Sequence, residues 1–126
     1  MKRVVIDLDD TITRSEPDVA YSELKPRADV VDAIRRYREK GFSISIYTAR
    51  NMRTYGSNLG EINAITLPGI IDWLQQHDIP YDEIFVGKPW CGHSGFYVDD
   101  KAIRPSEFVA LSEREIYELI GTTAPQ

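Results

Sequence analysis

The chain has 126 residues, 42% of them hydrophobic and 28% charged, with a net charge of −5. That suits one soluble domain, 1–120, with a frayed tail, 121–126. No apolar stretch approaches the roughly 20 residues that span a bilayer, the apolar run Val4–Ile6 is too short for a secretory leader, and the negative charge argues against nucleic acid as a partner. The single cysteine, Cys91, cannot form an internal disulfide. The expectation is therefore a cytoplasmic protein with no membrane partner.

The run Val4–Leu8 is apolar except for Asp7 and reads as a strand buried on both faces of a parallel sheet. Val30, Ala33, Ile34 and Tyr37 recur at helical spacing, so a helix is expected over Ala28–Lys40, closed by Gly41. A strand follows at Phe42–Tyr47. Leu67, Ile70, Ile71 and Leu74 mark a second helix, Thr66–His77, with Pro68 tolerable in its first turn. Ile84–Val86 and Phe96–Val98 are two short strands. Pro105–Leu111 reads as a short helix, and Ser112 with Glu115 forms a capping box for another carrying Ile116, Leu119 and Ile120. Strands alternating with helices predict a three-layer α/β fold, an open, mostly parallel, Rossmann-like sheet.

Ligands of such sheets bind at the carboxyl ends of the strands. The residues at those ends are Asp7, Asp9 and Thr11, then Thr48 and Arg50, then Lys88, then Asp99 and Asp100. Like charges crowded together require a cation, a proton or hydrogen-bond donors to offset them. Carboxylates from two strands suit a hard cation, and few protein ligands favour Mg²⁺, which retains waters and shares a substrate phosphate. A lysine and a threonine nearby supply donors for an anion. Together these features describe phosphoryl transfer.

Asp7-Leu8-Asp9-Asp10-Thr11 resembles the DxDxT signature of the haloacid dehalogenase superfamily of phosphotransferases. Thr48, Lys88 and the pair Asp99–Asp100 follow in that superfamily's order. The resemblance implies that Asp7 attacks phosphorus and becomes an aspartyl phosphate, while Asp9 protonates the leaving oxygen and then deprotonates the hydrolytic water. It implies that Thr48 donates to a phosphoryl oxygen and that Lys88 pairs with that oxygen and with Asp7. Thr11 is a substrate-side residue on the same motif. Asp7, Asp9 through its carbonyl, Asp99 and Asp100 would be the Mg²⁺ ligands. Asp10, where the superfamily often has glycine, reads as a solvent-facing turn residue. Arg50 either orients substrate or pairs with a neighbouring acid. Tyr21 is expected to pack within a flap, and Trp90-Cys91-Gly92-His93 reads as a Gly-containing loop with a buried Trp.

One helix and one strand consume much of the chain between Thr11 and Thr48, which leaves a flap, 12–25, but no cap domain. The site should be open unless a homo-oligomer covers it. The segments Thr48-Ala49-Arg50-Asn51 and Val86-Gly87-Lys88-Pro89 are similar to those of small capsule-biosynthesis phosphatases of bacteria. That likeness implies a small phosphate ester as substrate, a phosphorylated sugar or polysaccharide precursor. The alternatives are a nucleic-acid end phosphatase, a phosphoprotein phosphatase and a nonenzymatic phosphate-binding module. A receiver domain uses similar residues, but its phosphate-accepting Asp follows the third strand, where this chain has Lys88.

Overall fold

In the computed structural model, residues 2–87, 91 and 93–123 are described. Four strands form one parallel sheet: β1 (Arg3–Asp7), β4 (Ser43–Thr48), β5 (Glu83–Val86) and β6 (Phe96–Val98), in the order β5-β4-β1-β6. A hairpin of β2 (Thr13–Arg14) and β3 (Lys25–Pro26) lies outside it, in the region expected to be a flap. The helices are α1 (Ala28–Glu39), α2 (Leu59–Glu61), α3 (Leu67–Gln76), α4 (Pro105–Ala110) and α5 (Glu113–Leu119).

Strand register sorts the side chains between the two faces. Val4 lies beside Ile44 and Ile6 beside Ile46, while Val5 lies beside Ser45 and Asp7 beside Tyr47. Because side chains alternate along a strand, Val4, Ile6, Ile44 and Ile46 share one face. The buried cluster there takes in Val31 and Ile34 of α1 and Ile70, Trp73 and Leu74 of α3. The opposite face carries a smaller cluster, Val5, Tyr47 and Cys91 with Phe85 against it. α1 and α3 therefore both pack on the first face, while the start of α4 lies beside Tyr97 on the second, so helices flank the mostly parallel sheet as expected.

Ile46 is fully buried on the central strand β4. Its replacement by Ala should cost about 2–5 kcal/mol, since neighbours held by the sheet cannot collapse into the gap. Chemical denaturation would read this as a lower midpoint with an unchanged slope.

The approach to α3 differs from the expected simple start at Thr66. A wide π turn, Ile62–Thr66, leads from α2 into the helix. Pro68 has no N–H for the carbonyl four residues earlier, and its ring would crowd that carbonyl, so the widened turn before it relieves the conflict. Trp73 Nε1 donates to the Leu24 carbonyl at 2.8 Å and ties the flap's base to α3. No helix among the described residues is long and apolar enough to cross a membrane.

Candidate active site

β1 ends at Asp7, and the chain turns immediately: the N–H groups of Ile12 and Thr13 both donate to the Leu8 carbonyl at 3.0 Å. Asp10 takes φ of +60° in this turn, is exposed, and accepts from the Ser15 N–H at 3.1 Å. A left-handed position suits glycine, and Asp is among the few other residues that adopt it readily. The turn folds Thr11 back so that its hydroxyl donates to Asp7 Oδ2 at 3.2 Å and approaches Asp100 Oδ1 at 3.5 Å.

Past the end of neighbouring β6, Asp99 and Asp100 converge on Asp7. One carboxylate oxygen from each of the three lies within 4.8 Å of the others. Burial and these neighbours push the Asp7 carboxyl up to about 8, with burial the larger cause, followed by its hydrogen bond with Asp100 and the nearby charges. The Thr11 hydroxyl opposes that shift. The donor set is oxygen alone and strained by mutual repulsion, which fits a hard divalent cation.

Asp99 is also fixed from behind. Tyr47 donates its hydroxyl to Asp99 Oδ2, and the Lys101 N–H donates to Oδ1 at 2.8 Å. Burial and the Asp99 carboxylate push the Tyr47 hydroxyl well above the usual phenol range. Sequence reading did not select Tyr47, which looked like an ordinary strand aromatic. The available signal was alternation: Tyr47 lies on the same face as Asp7, its partner in register.

Asp9 is not part of the acidic cluster; its side chain turns toward β4. Thr48, fully buried, donates to Asp9 Oδ2 at 3.1 Å and receives the Arg50 N–H at 2.9 Å. Arg50 donates to Asp9 Oδ1 twice, from Nε at 3.1 Å and from Nη2 at 2.7 Å. Of the two roles considered for Arg50, the structure displays pairing with an acid. The ion pair is well enclosed, the Arg50 side chain being 6% and that of Asp9 28% exposed. Tyr21, expected to pack in the flap, is half-exposed instead, and its ring centre lies 3.9 Å from the Arg50 guanidinium carbon. Thus Asp7, Asp9, Thr11, Thr48, Arg50, Asp99 and Asp100 all meet at one end of the sheet. Lys88, together with Pro89, Trp90 and Gly92, lies outside the described residues. Cys91 is buried on the Val5 face, with its N–H donating to the Tyr97 hydroxyl at 3.3 Å.

A scan against protein-family models found no match, and a search of curated proteins found none either. Among solved structures, the chain is similar to an MCSG target protein from Vibrio cholerae, with 53% identity over 96% of this chain and 98% of that one, and a TM-score of 0.66. A chain in the structure of the Pnkp1/Rnl/Hen1 RNA repair complex matches 93% of this chain with 31% of its own length, at 14% identity and a TM-score of 0.51. At that identity the second likeness concerns the fold alone. The first, at more than half identity over nearly the full length of both proteins, is a family relationship: the chain belongs to the same family as the Vibrio cholerae protein.

Proposed function

We propose that the protein is a phosphomonoester hydrolase of the haloacid dehalogenase type, working through an aspartyl phosphate on Asp7. The observation that carries this reading is the meeting of Asp7, Asp99 and Asp100 beside the Asp9–Thr48–Arg50 group at the carboxyl ends of parallel strands. Asp7, Asp99 and Asp100 would hold Mg²⁺, which supplies charge neutralisation for the carboxylates and for a phosphoryl oxygen.

In the first step an Asp7 oxygen bonds to phosphorus, the bond from phosphorus to the leaving oxygen breaks, and Asp9 gives that oxygen a proton. In the second, Asp9 takes a proton from water as the water oxygen bonds to phosphorus, and the bond to Asp7 breaks to release phosphate. Both Asp9 oxygens are engaged by Thr48 and Arg50. At least one of those contacts must therefore be exchanged as substrate arrives, freeing Thr48 or Arg50 to donate to the phosphoryl group. Thr11 keeps Asp7 oriented. Lys88 is the proposed cationic partner of Asp7 and the phosphoryl oxygen.

The substrate class favoured by the resemblance is a phosphorylated sugar or polysaccharide precursor, and among the described residues the flap region holds only the short β2–β3 hairpin. A nucleic-acid end phosphatase is the second reading, supported by the shared fold of a chain from an RNA repair complex. Phosphate release should be measured with Mg²⁺ and with EDTA on an aryl phosphate, a panel of sugar phosphates, and oligonucleotides bearing a terminal phosphate. Turnover that needs Mg²⁺ and prefers sugar phosphates is expected. Preference for oligonucleotide ends would move the assignment to the second reading, and release from none of these substrates would sink the hydrolase assignment.

A further inference from the structure

A parallel sheet needs apolar cover on its faces, and among the described residues the edge strand β6 is only partly covered on the helical side. Phe96 and Val98 of β6 lie in register with Val4 and Ile6 and share their face. Beside them runs a groove of about 280 Å³, its walls formed mainly by Val4, Ile6, Ala33, Tyr37, Phe96 and Val98. It is almost wholly apolar, and it occupies the place where a further helix would pack next to α1. Tyr37 meets Phe96 edge-on at a ring separation of 5.6 Å, forming one wall.

Two helices also leave much of their apolar surface exposed. Neither α4 nor α5 contains a buried residue, and Phe108, Val109 and Leu119 are 71%, 85% and 54% exposed. Apolar side chains so close in sequence and so open to water mark a contact surface. Charge matches as well. Glu107, Glu113, Glu115 and Glu118 stand against Arg114 alone on the two helices. The one charged residue that lines the groove is Asp29, and Arg36 and Lys40 follow on the same α1 stripe beyond the lining, so positive charge gathers past the groove's far end. Lys40 Nζ lies 5.1 Å from the Tyr37 ring centre, and Lys2 Nζ lies 5.5 Å from that of Phe42.

We infer that the α4–α5 segment of one copy docks in the α1–β6 groove of a second copy, and the reverse, to make a two-fold dimer. The chain's own helices are badly placed for that groove. α4 begins on the Tyr97 side of the sheet, where Ile103, Arg104 and Glu107 line a depression with Cys91, His93 and Tyr97. Phe96 borders this depression as well as the groove, but Phe96 and Val98 share the face of Val4 and Ile6, so the helices would have to pass around the β6 edge to enter their own groove. A second copy meets no such barrier, and two-fold exchange uses each patch twice. That doubling helps reach the roughly 1,200–2,000 Å² that a stable interface buries.

Sedimentation equilibrium of the full chain at micromolar concentration tests this, with light scattering as a check. A mass twice the 14.4 kDa of one chain is expected. Phe108→Asp with Val109→Asp should halve that mass, as should Ala33→Arg in the groove, while each variant retains its far-ultraviolet circular dichroism. Mixing the two variants should recover part of the association, detectable at higher concentration, because one intact helix pair then meets one intact groove. A monomeric parent would overturn the inference, as would a double variant that remains dimeric or a mixture that associates no more than either variant alone at any concentration tested. These outcomes are independent of phosphate release, so the hydrolase reading stands or falls separately.

Discussion

Asp7→Asn is expected to abolish phosphate release while making the metal-free protein harder to melt. The first effect follows from the proposed role: an amide oxygen is a poor nucleophile toward phosphorus, and loss of a covalent nucleophile should reduce turnover about 10³-fold or more. The second follows from the charge cluster. The Asp7 carboxyl is raised from 3.8 to about 8, chiefly by burial, so its ionised form is disfavoured in the folded state. The cost is absent below about pH 4, grows as pH rises, and is complete above about pH 8. Asparagine carries no such cost. The group keeps some exposure, and solvent screening should hold the gain to about 1–3 kcal/mol at pH 8, or about 3–15 °C in Tm. Thermal melts in EDTA should therefore show parent and variant converging near pH 4 and separating toward pH 8. Added Mg²⁺ should narrow the gap by stabilising the parent more than the variant. A variant that melts below the parent at pH 8 in EDTA would contradict this account of the cluster.

The elements that sequence made legible are those with a strong period. β1, α1, β4 and the two short strands β5 and β6 fall within a residue or so of their expected positions, because burial against a sheet imposes alternation or the helical stripe directly. The capping box at Ser112 and Glu115 also forms, with reciprocal bonds of 2.9 and 3.2 Å. The π turn before α3 was not legible, because its cause is the conflict between Pro68 and a helix already begun upstream. The placement of α1 and α3 on one face was likewise hidden, since periodicity gives each helix an apolar stripe but not the side of the sheet that receives it. At the site, residue identities and their convergence could be read from the strand ends. The division into two groups could not: Asp7, Asp99 and Asp100 gather on one side, while Asp9 turns to Thr48 and Arg50. That split depends on which way each side chain leaves the turn after β1. The tight turn through Asp10 decides it.

Arg50 should prove to be the most sensitive residue outside the acidic cluster. It joins three elements of the site: its guanidinium grips Asp9, its N–H donates to the Thr48 hydroxyl, and its guanidinium carbon lies over the Tyr21 ring in the flap region. Arg50→Ala removes the guanidinium and leaves Asp9 with Thr48 as its side-chain partner among the described residues. Breaking a buried pair in this way costs about 3–5 kcal/mol when enclosure is complete. Asp9 retains some exposure, so about 2–3 kcal/mol is expected here. Arg50→Lys should recover part of the charge but not the two-nitrogen grip or the flat stacking surface, and should fall between parent and Ala in stability. Activity separates the two parts of the role. If Arg50 only braces Asp9, Arg50→Lys should lower kcat with little change in KM, whereas an arginine that also moves to the phosphoryl group should raise KM as well. Asp9→Asn with Arg50→Ala completes a double-mutant cycle, and their stability losses should sum to more than that of the double variant, because the pair acts as a unit. Additive losses would mean that Arg50 and Asp9 stabilise the fold independently, and the braced-carboxylate account of Asp9 would have to be abandoned.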